Sequence, residues 1–225
     1  TLIYVPIIHT SADLGSLAKE VAKRGVANLG QELWDKHRRT VEGFWDVISD
    51  YFNSIDVKGM KIYQDGMVAE EEVGRKIAED TAKAGSKNYQ LILKLLEQGA
   101  VLVKTEEFQL VKKEYDRLHA IARAKSVAQK IIAFMKYKLV KTTLLNKRDR
   151  FIAERIDRTL KAGETAILFI GAFHNIKARL SKTIQIKEIK DTAKVRKYQK
   201  LLPYYNSHGE QFDELGRYLV SEITS

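Results

Sequence analysis

Four apolar stretches of this chain each run out on a side chain that can bind a metal or move a proton. "TLIYVPIIHT" ends at His9, "VKGMKIYQDG" at Gln64-Asp65, "AVLVKTEE" at Glu106-Glu107, and "TAILFIGAFHN" at His174-Asn175. Two histidines with a carboxylate form a donor set for Zn²⁺, Mn²⁺ or Fe²⁺. Without a metal, the same groups suit a His or Glu general base that activates water. "NKRDRFIAERI" adds Arg148 and Arg150 around Asp149. A fixed cation in a dry cleft favours an oxyanion as it forms. The candidates for catalysis are therefore His9, His174, Glu106, Arg148 and Arg150, and those for a divalent metal are His9, His174 and Asp65.

Plainer roles compete for these residues. Asp65-Gly66 is ordinary turn chemistry. Glu106 and Glu107 suit the first turn of a helix, where the dipole favours anions. His174 could cap a helix beginning near Asn175, and Arg148 to Arg150 could form a solvated turn. His37, His119 and His208 read as surface or packing residues. No H-E-x-x-H, nucleophile elbow or Gly-rich phosphate loop is present, which argues against serine hydrolases and nucleotide triphosphatases.

The elements that position these residues follow from periodicity. The four stretches read as buried strands, and "TIQIKEIKD" alternates as a half-exposed edge strand. Ser11 or Asp13 is placed to cap the helix after the first strand. Val41, Phe44, Trp45, Ile48, Tyr51 and Phe52 have helical spacing. The segment from Ala69 to Gly99 is helical with a break near Gly85-Ser86, and Gly99 closes it. From Glu107 to Ala162 no Gly or Pro occurs, so this span is mostly helix. Two helices are expected in it, the second beginning at Asn146 with Asp149 closing a capping box. Val127, Ile131, Met135 and Leu139 step by four along what reads as a core face. A short docked helix is expected from Glu210 to Glu222.

Strands alternating with helices give an α/β fold. A mainly parallel central sheet of about five strands is expected, flanked by helices, with a helical insertion at about 107–145 between strands 3 and 4. A single domain over 1–225 is the economical reading. In such sheets ligands bind outside the carboxyl ends of the strands, which is where the four polar ends converge.

The composition sets the bounds. The chain has 225 residues, 44% hydrophobic content and net charge +10. No apolar run is long enough for a transmembrane segment, and no signal peptide is evident. Cysteine is absent, which excludes disulfides and thiolate metal sites and fits a reducing, cytoplasmic setting. The basic balance suits nucleic acid, anionic lipid or a polyanionic substrate, or simply solubility.

"GAFHNIKARL", preceded by "KRDRFIAERIDRTL", resembles the late G-x-x-H motif and Arg-bearing helix of the TraB/TIKI superfamily. That superfamily includes the erythromycin esterases, the TIKI-type metal-dependent proteases and the haem-binding ChaN-type proteins. The early motif departs from the pattern: "PIIH" has Pro6 where the family has Gly. "KIYQDG" offers Gln64-Asp65 where relatives usually show Glu. The resemblance implies an α/β fold with His9 and His174 facing each other across a cleft, and hydrolysis or a binding function derived from it.

The leading expectation is a hydrolase of ester or amide bonds acting on a small molecule or peptide. The second is a non-catalytic module that binds a small anion in the same cleft. A third is nucleic-acid binding through the basic stretches, where Lys136 and Lys138 flank Tyr137 and Lys197 and Lys200 lie near Tyr198. A homodimer through the helical region Glu107 to Met135 is also compatible with the pattern.

Overall fold

The computed structural model describes residues 1–10, 12–13 and 18–223. Ser11 lies outside them, as do the side chains of Ala18, Val21 and Val127. Five strands form one sheet: β1 (Leu2–Ile7), β2 (Lys61–Gln64), β3 (Val101–Val103), β4 (Ala166–Gly171) and β5 (Ile186–Glu188). The order is β3-β2-β4-β1-β5 and every pairing is parallel. β1 and β4 are buried along their whole length, as expected of strands covered on both faces. β5 is partly exposed at the edge.

Pro6 sits inside β1 without breaking the sheet. Leu2 N–H donates to Gln185 O at 2.7 Å, and Tyr4 O accepts from Ile189 N at 3.0 Å. The even-numbered residues of β1 therefore face β5. Pro6 is the next even residue, and β5 has ended at Glu188 before reaching it. Its missing N–H costs no ladder bond.

The helices are α1 (Ala18–Leu29), α2 (Gln31–Asn53), α3 (Glu71–Lys83), α4 (Lys87–Glu97), α5 (Phe108–Ala122), α6 (Val127–Thr159), α7 (Thr192–Leu201) and α8 (Tyr205–Leu219). One face of the sheet presents Ile3, Val5, Ile7, Ile62 and Phe169 to Phe44, Trp45, Ile48 and Phe52 of α2, with α4, α7 and α8 completing that layer. The other face presents Tyr4, Tyr63, Leu168 and Ile170 to Ile152 and Ile156 of α6. Both isoleucines are fully buried, each stabilising the fold by about 1.5–3 kcal/mol relative to exposure. They seat the C-terminal half of α6 on the sheet and fix the rotation of every residue on it.

Several boundaries differ from the sequence reading. α3 and α4 do break at Gly85-Ser86, where Ser86 caps α4 by accepting from Tyr89 N. α6 does not begin at Asn146. It runs unbroken for 33 residues from a Ser126 cap, so Asn146 and Asp149 form no capping box. The Asn-Lys-Arg-Asp string looks like a helix start, but nothing in it stops a helix already under way. The start of α1 next to Asp13 lies outside the described residues; among them Asp13 accepts from Thr10 N at 2.6 Å and from the Ser86 hydroxyl. The C-terminal segment holds two helices, and α8 starts at Tyr205, ahead of the expected Glu210. No helix starts at Asn175; residues 172–185 form turns. Ile131, Met135 and Leu139 are exposed, so the stripe they form is not core. Among the described residues no helix is long and apolar enough to cross a membrane.

Candidate functional site

The strand order sets the site. Going from β3 to β2, β4 and β1, the residues past the carboxyl ends are Glu106, Asp65, His174 and His9. The strands are neighbours, so these side chains meet on one rim. Of the residues singled out from the sequence, His9, Asp65, Glu106, Arg148 and His174 come together.

Asp65 is the centre. Its Oδ2 accepts from Gly171 N at 2.9 Å, and it lies 3.4 Å from His9 Nε2 and 3.6 Å from His174 Nε2. Its Oδ1 accepts from Arg148 Nη2 at 2.7 Å. Gly171 allows this crowding: a Cβ there would sit 3.0 Å from Asp65 Oδ2 and 3.5 Å from His9 Nε2. Burial works to raise the Asp65 carboxyl, but His174, His9 and Arg148 outweigh it and hold the group well below the usual carboxylate range.

Arg148 enters from α6. It shares a face with Ile152 and Ile156 at steps of four, so the isoleucines that seat the helix also aim the guanidinium. Its Nε and Nη2 clamp both oxygens of Glu106 at 2.5 and 2.6 Å, and Nη1 reaches Glu114 of α5. Four of its five N–H donors are thereby committed to Asp65, Glu106 and Glu114. Burial works to lower its pKa; Glu106, Asp65 and Glu114 overcome this and raise it, so it stays charged. Arg148 thus locks carboxylates in place, and little of it is left to meet an oxyanion. Burial pushes the Glu106 carboxyl up, with Arg148 opposing; Glu106 also accepts from Gly66 N at 2.7 Å. Its neighbour Glu107 faces the other way and caps α5 by accepting from Leu110 N at 3.0 Å.

Arg150 is two residues further along α6, about 200° around the axis. It is exposed and outside the cluster. Asp149 takes the place expected of a second polar group from this segment. It is buried, its Oδ1 lies 2.6 Å from His174 Nδ1, and its Oδ2 accepts from Asn175 N at 3.0 Å. His174 is therefore held between Asp149 on Nδ1 and Asp65 on Nε2. Burial works to lower its pKa; Asp65 and Asp149 outweigh it, and the pKa is raised. Arg196 of α7 ties down the same turn, donating to Ala172 O at 2.7 Å.

His9 is the member that meets solvent, with 40% of its side chain exposed. Loss of water around the ring works to lower its pKa, but Asp65, helped by Asp13, raises it. Asp13 Oδ2 stands 3.9 Å from His9 Nδ1. Beside His9 opens a groove of about 360 Å³ lined by Trp34, His37, Arg38, Glu42, Gly85 and Lys87 among others.

Asp149, Glu114, Asp13 and Gly171 were not candidates from the sequence. A signal existed for Asp149: it shares a face with Ala153 and Ile156, both buried. Glu114 carries no such mark on its exposed helix. Among the described residues, no group of three or more His, Cys, Asp or Glu side chains is arranged to hold a metal ion. Comparison with protein-family models, curated proteins and solved structures finds no match to this chain.

Proposed function

We propose that this chain hydrolyses an ester or amide bond of a small substrate held in the groove beside His9. The observation that carries the proposal is the His9–Asp65 pair: an exposed imidazole at the mouth of a groove, with a buried, ionised carboxylate 3.4 Å behind its Nε2. Such an imidazole can take a proton from an attacking water and return it to the leaving oxygen or nitrogen, while the carboxylate stabilises the imidazolium. His174 with Asp149, and Arg148 with Glu106 and Glu114, hold Asp65 from two sides. Trp34 offers the groove an aromatic wall, and Arg38 and Lys87 bring cations to it. Glu42 and Asp46 stand 3.9 Å from these cations, so the groove's main preference is for a substrate that has an apolar part.

A divalent metal is the alternative source of an activated water. His9 Nε2, His174 Nε2 and Asp65 Oδ2 are the donors it would take. Asp65 Oδ2 lies 3.4 and 3.6 Å from the two ring nitrogens, but among the described residues the three donors do not form a group arranged around an ion. Arg148 and the Gly171 N–H already occupy that carboxylate, and a guanidinium opposes a dication. The metal-free pair fits the site better. Placement in the TraB/TIKI superfamily belongs to the same proposal, supported by His9 and His174 on neighbouring strands with a carboxylate between them.

The test is a screen of chromogenic aryl esters and amides with wild type, His9→Ala and Asp65→Asn, alongside elemental analysis of wild type and His174→Ala. The proposal expects hydrolysis that falls at least a hundredfold in His9→Ala. Hydrolysis unchanged by His9→Ala would overturn it. A near-stoichiometric metal that is lost in His174→Ala would move the chemistry to the metal. No hydrolysis, with an organic anion bound through Arg38 and Lys87, would make the cleft a binding module.

A further inference from the structure

α5 and the first half of α6 form a hairpin arm that stands away from the core. No residue of α5 is buried. Among the described side chains of α6, burial begins only at Leu144. On this free part Ile131, Ile132, Met135 and Leu139 are 58, 55, 51 and 78% exposed. At 3.6 residues per turn these four fall within an arc of about 100°, with Lys138 on one flank and Lys136 on the other. The opposite side of the helix faces α5, where Tyr137 OH donates to Glu114 at 3.1 Å. The apolar arc therefore points away from the molecule.

The charge of the arm's α6 side is as one-sided as its apolar arc. Residues 123–147 carry Arg123, Lys125, Lys130, Lys136, Lys138, Lys141 and Lys147 and not one Asp or Glu. The whole chain has net charge +10, so this short stretch holds most of the excess.

We propose that the arm docks on an anionic membrane surface, lying in the interface with Ile131, Ile132, Met135 and Leu139 among the acyl chains. A helix lies on a bilayer when an apolar face is bordered by long cationic side chains that reach back to the headgroups. Both features are present, and the helix is not apolar enough to cross. Charge decides against the other occupants. A second copy of residues 123–147, packed against the same apolar arc, would bring seven further cations and no anion from that stretch to the seam. A nucleic acid would pair with the lysines but leaves exposed Ile131 and Leu139 without a partner. Only an anionic lipid surface matches the cations and covers the aliphatic side chains together.

Co-sedimentation of the full chain with vesicles of phosphatidylcholine plus phosphatidylglycerol, against phosphatidylcholine alone, tests this. Binding is expected only to the anionic vesicles. Lys136→Gln and Lys138→Gln should each weaken it about fivefold, and Leu139→Ser about tenfold or more. All three positions are exposed, and circular dichroism checks that each variant folds. Three results would overturn the proposal: equal or no binding to both vesicle types; a dimer in sedimentation velocity that Leu139→Ser dissociates while vesicle binding is absent; or oligonucleotide binding, lost in the lysine variants and kept in Leu139→Ser, without vesicle binding.

Discussion

Replacing Arg148 by Met removes the charge at the centre of the cluster and keeps a stem of similar shape. The side chains of Arg148, Asp65 and Glu106 are 9, 7 and 1% exposed, so the carboxylates left behind have little access to water. Breaking a buried ion pair by deleting one partner costs about 3–5 kcal/mol. Here one cation serves two buried carboxylates. Asp65 retains His9, His174 and the Gly171 N–H, while Glu106 keeps the Gly66 N–H. A loss near 5 kcal/mol is expected, a third or more of the roughly 5–15 kcal/mol that holds such a domain folded.

The size of this loss depends on pH. Burial already pushes Glu106 up with Arg148 opposing; without Arg148 its folded pKa rises further above its unfolded value. Such a group stabilises the fold below its unfolded pKa and loses that contribution as pH climbs through the folded one. Arg148→Met should therefore lie furthest below wild type near pH 8 and recover toward about pH 5. Urea unfolding followed by circular dichroism at both ends measures this. Adding Glu106→Gln to Arg148→Met should return about 1–3 kcal/mol at the higher pH, because the stranded charge is gone. A loss under about 1 kcal/mol that is flat across pH would refute the reasoning, for Arg148 would then be worth no more than a surface pair.

Gly171→Ala should destabilise by about 1–3 kcal/mol in thermal melts, because its Cβ would press on Asp65 Oδ2 at 3.0 Å; an unchanged melting temperature would mean that the rim yields easily. Burial lowers the His37 pKa to about 4. Its contribution is therefore present above the unfolded value near 6.5 and lost as pH falls toward 4. His37→Gln should flatten that acid limb of the stability curve by about 3 kcal/mol. Because the His9 pKa is raised, the acid limb of any hydrolytic rate should sit above about pH 6.5, and Asp13→Asn should move it lower; a limb unmoved by Asp13→Asn would separate His9 from the titration.

How much of this was legible depends on what each signal reports. Unbroken β-branched and aromatic runs locate strands buried on both faces, and a parallel sheet puts all their carboxyl ends on one side. From these alone His9, Asp65, Glu106 and His174 could be placed on a common rim. Their order along it needs the strand pairing, which the sequence does not state. Arg148 was visible beside Arg150, but only its register with Ile152 and Ile156 separates the buried arginine from the exposed one. Glu114 could not be read, since it meets Arg148 only through the packing of α5 on α6 across 34 residues. The free end of α6 shows the same limit from the other side. Ile131, Met135 and Leu139 repeat at the step of four that marks Arg148, Ile152 and Ile156, and on the same helix. Periodicity tells that one face differs from the rest; it does not say what covers that face. The absence of any acid between Arg123 and Lys147 supplies the missing discrimination. A face turned to the sheet has no need of flanking lysines on both sides, whereas a face turned to an anionic surface does.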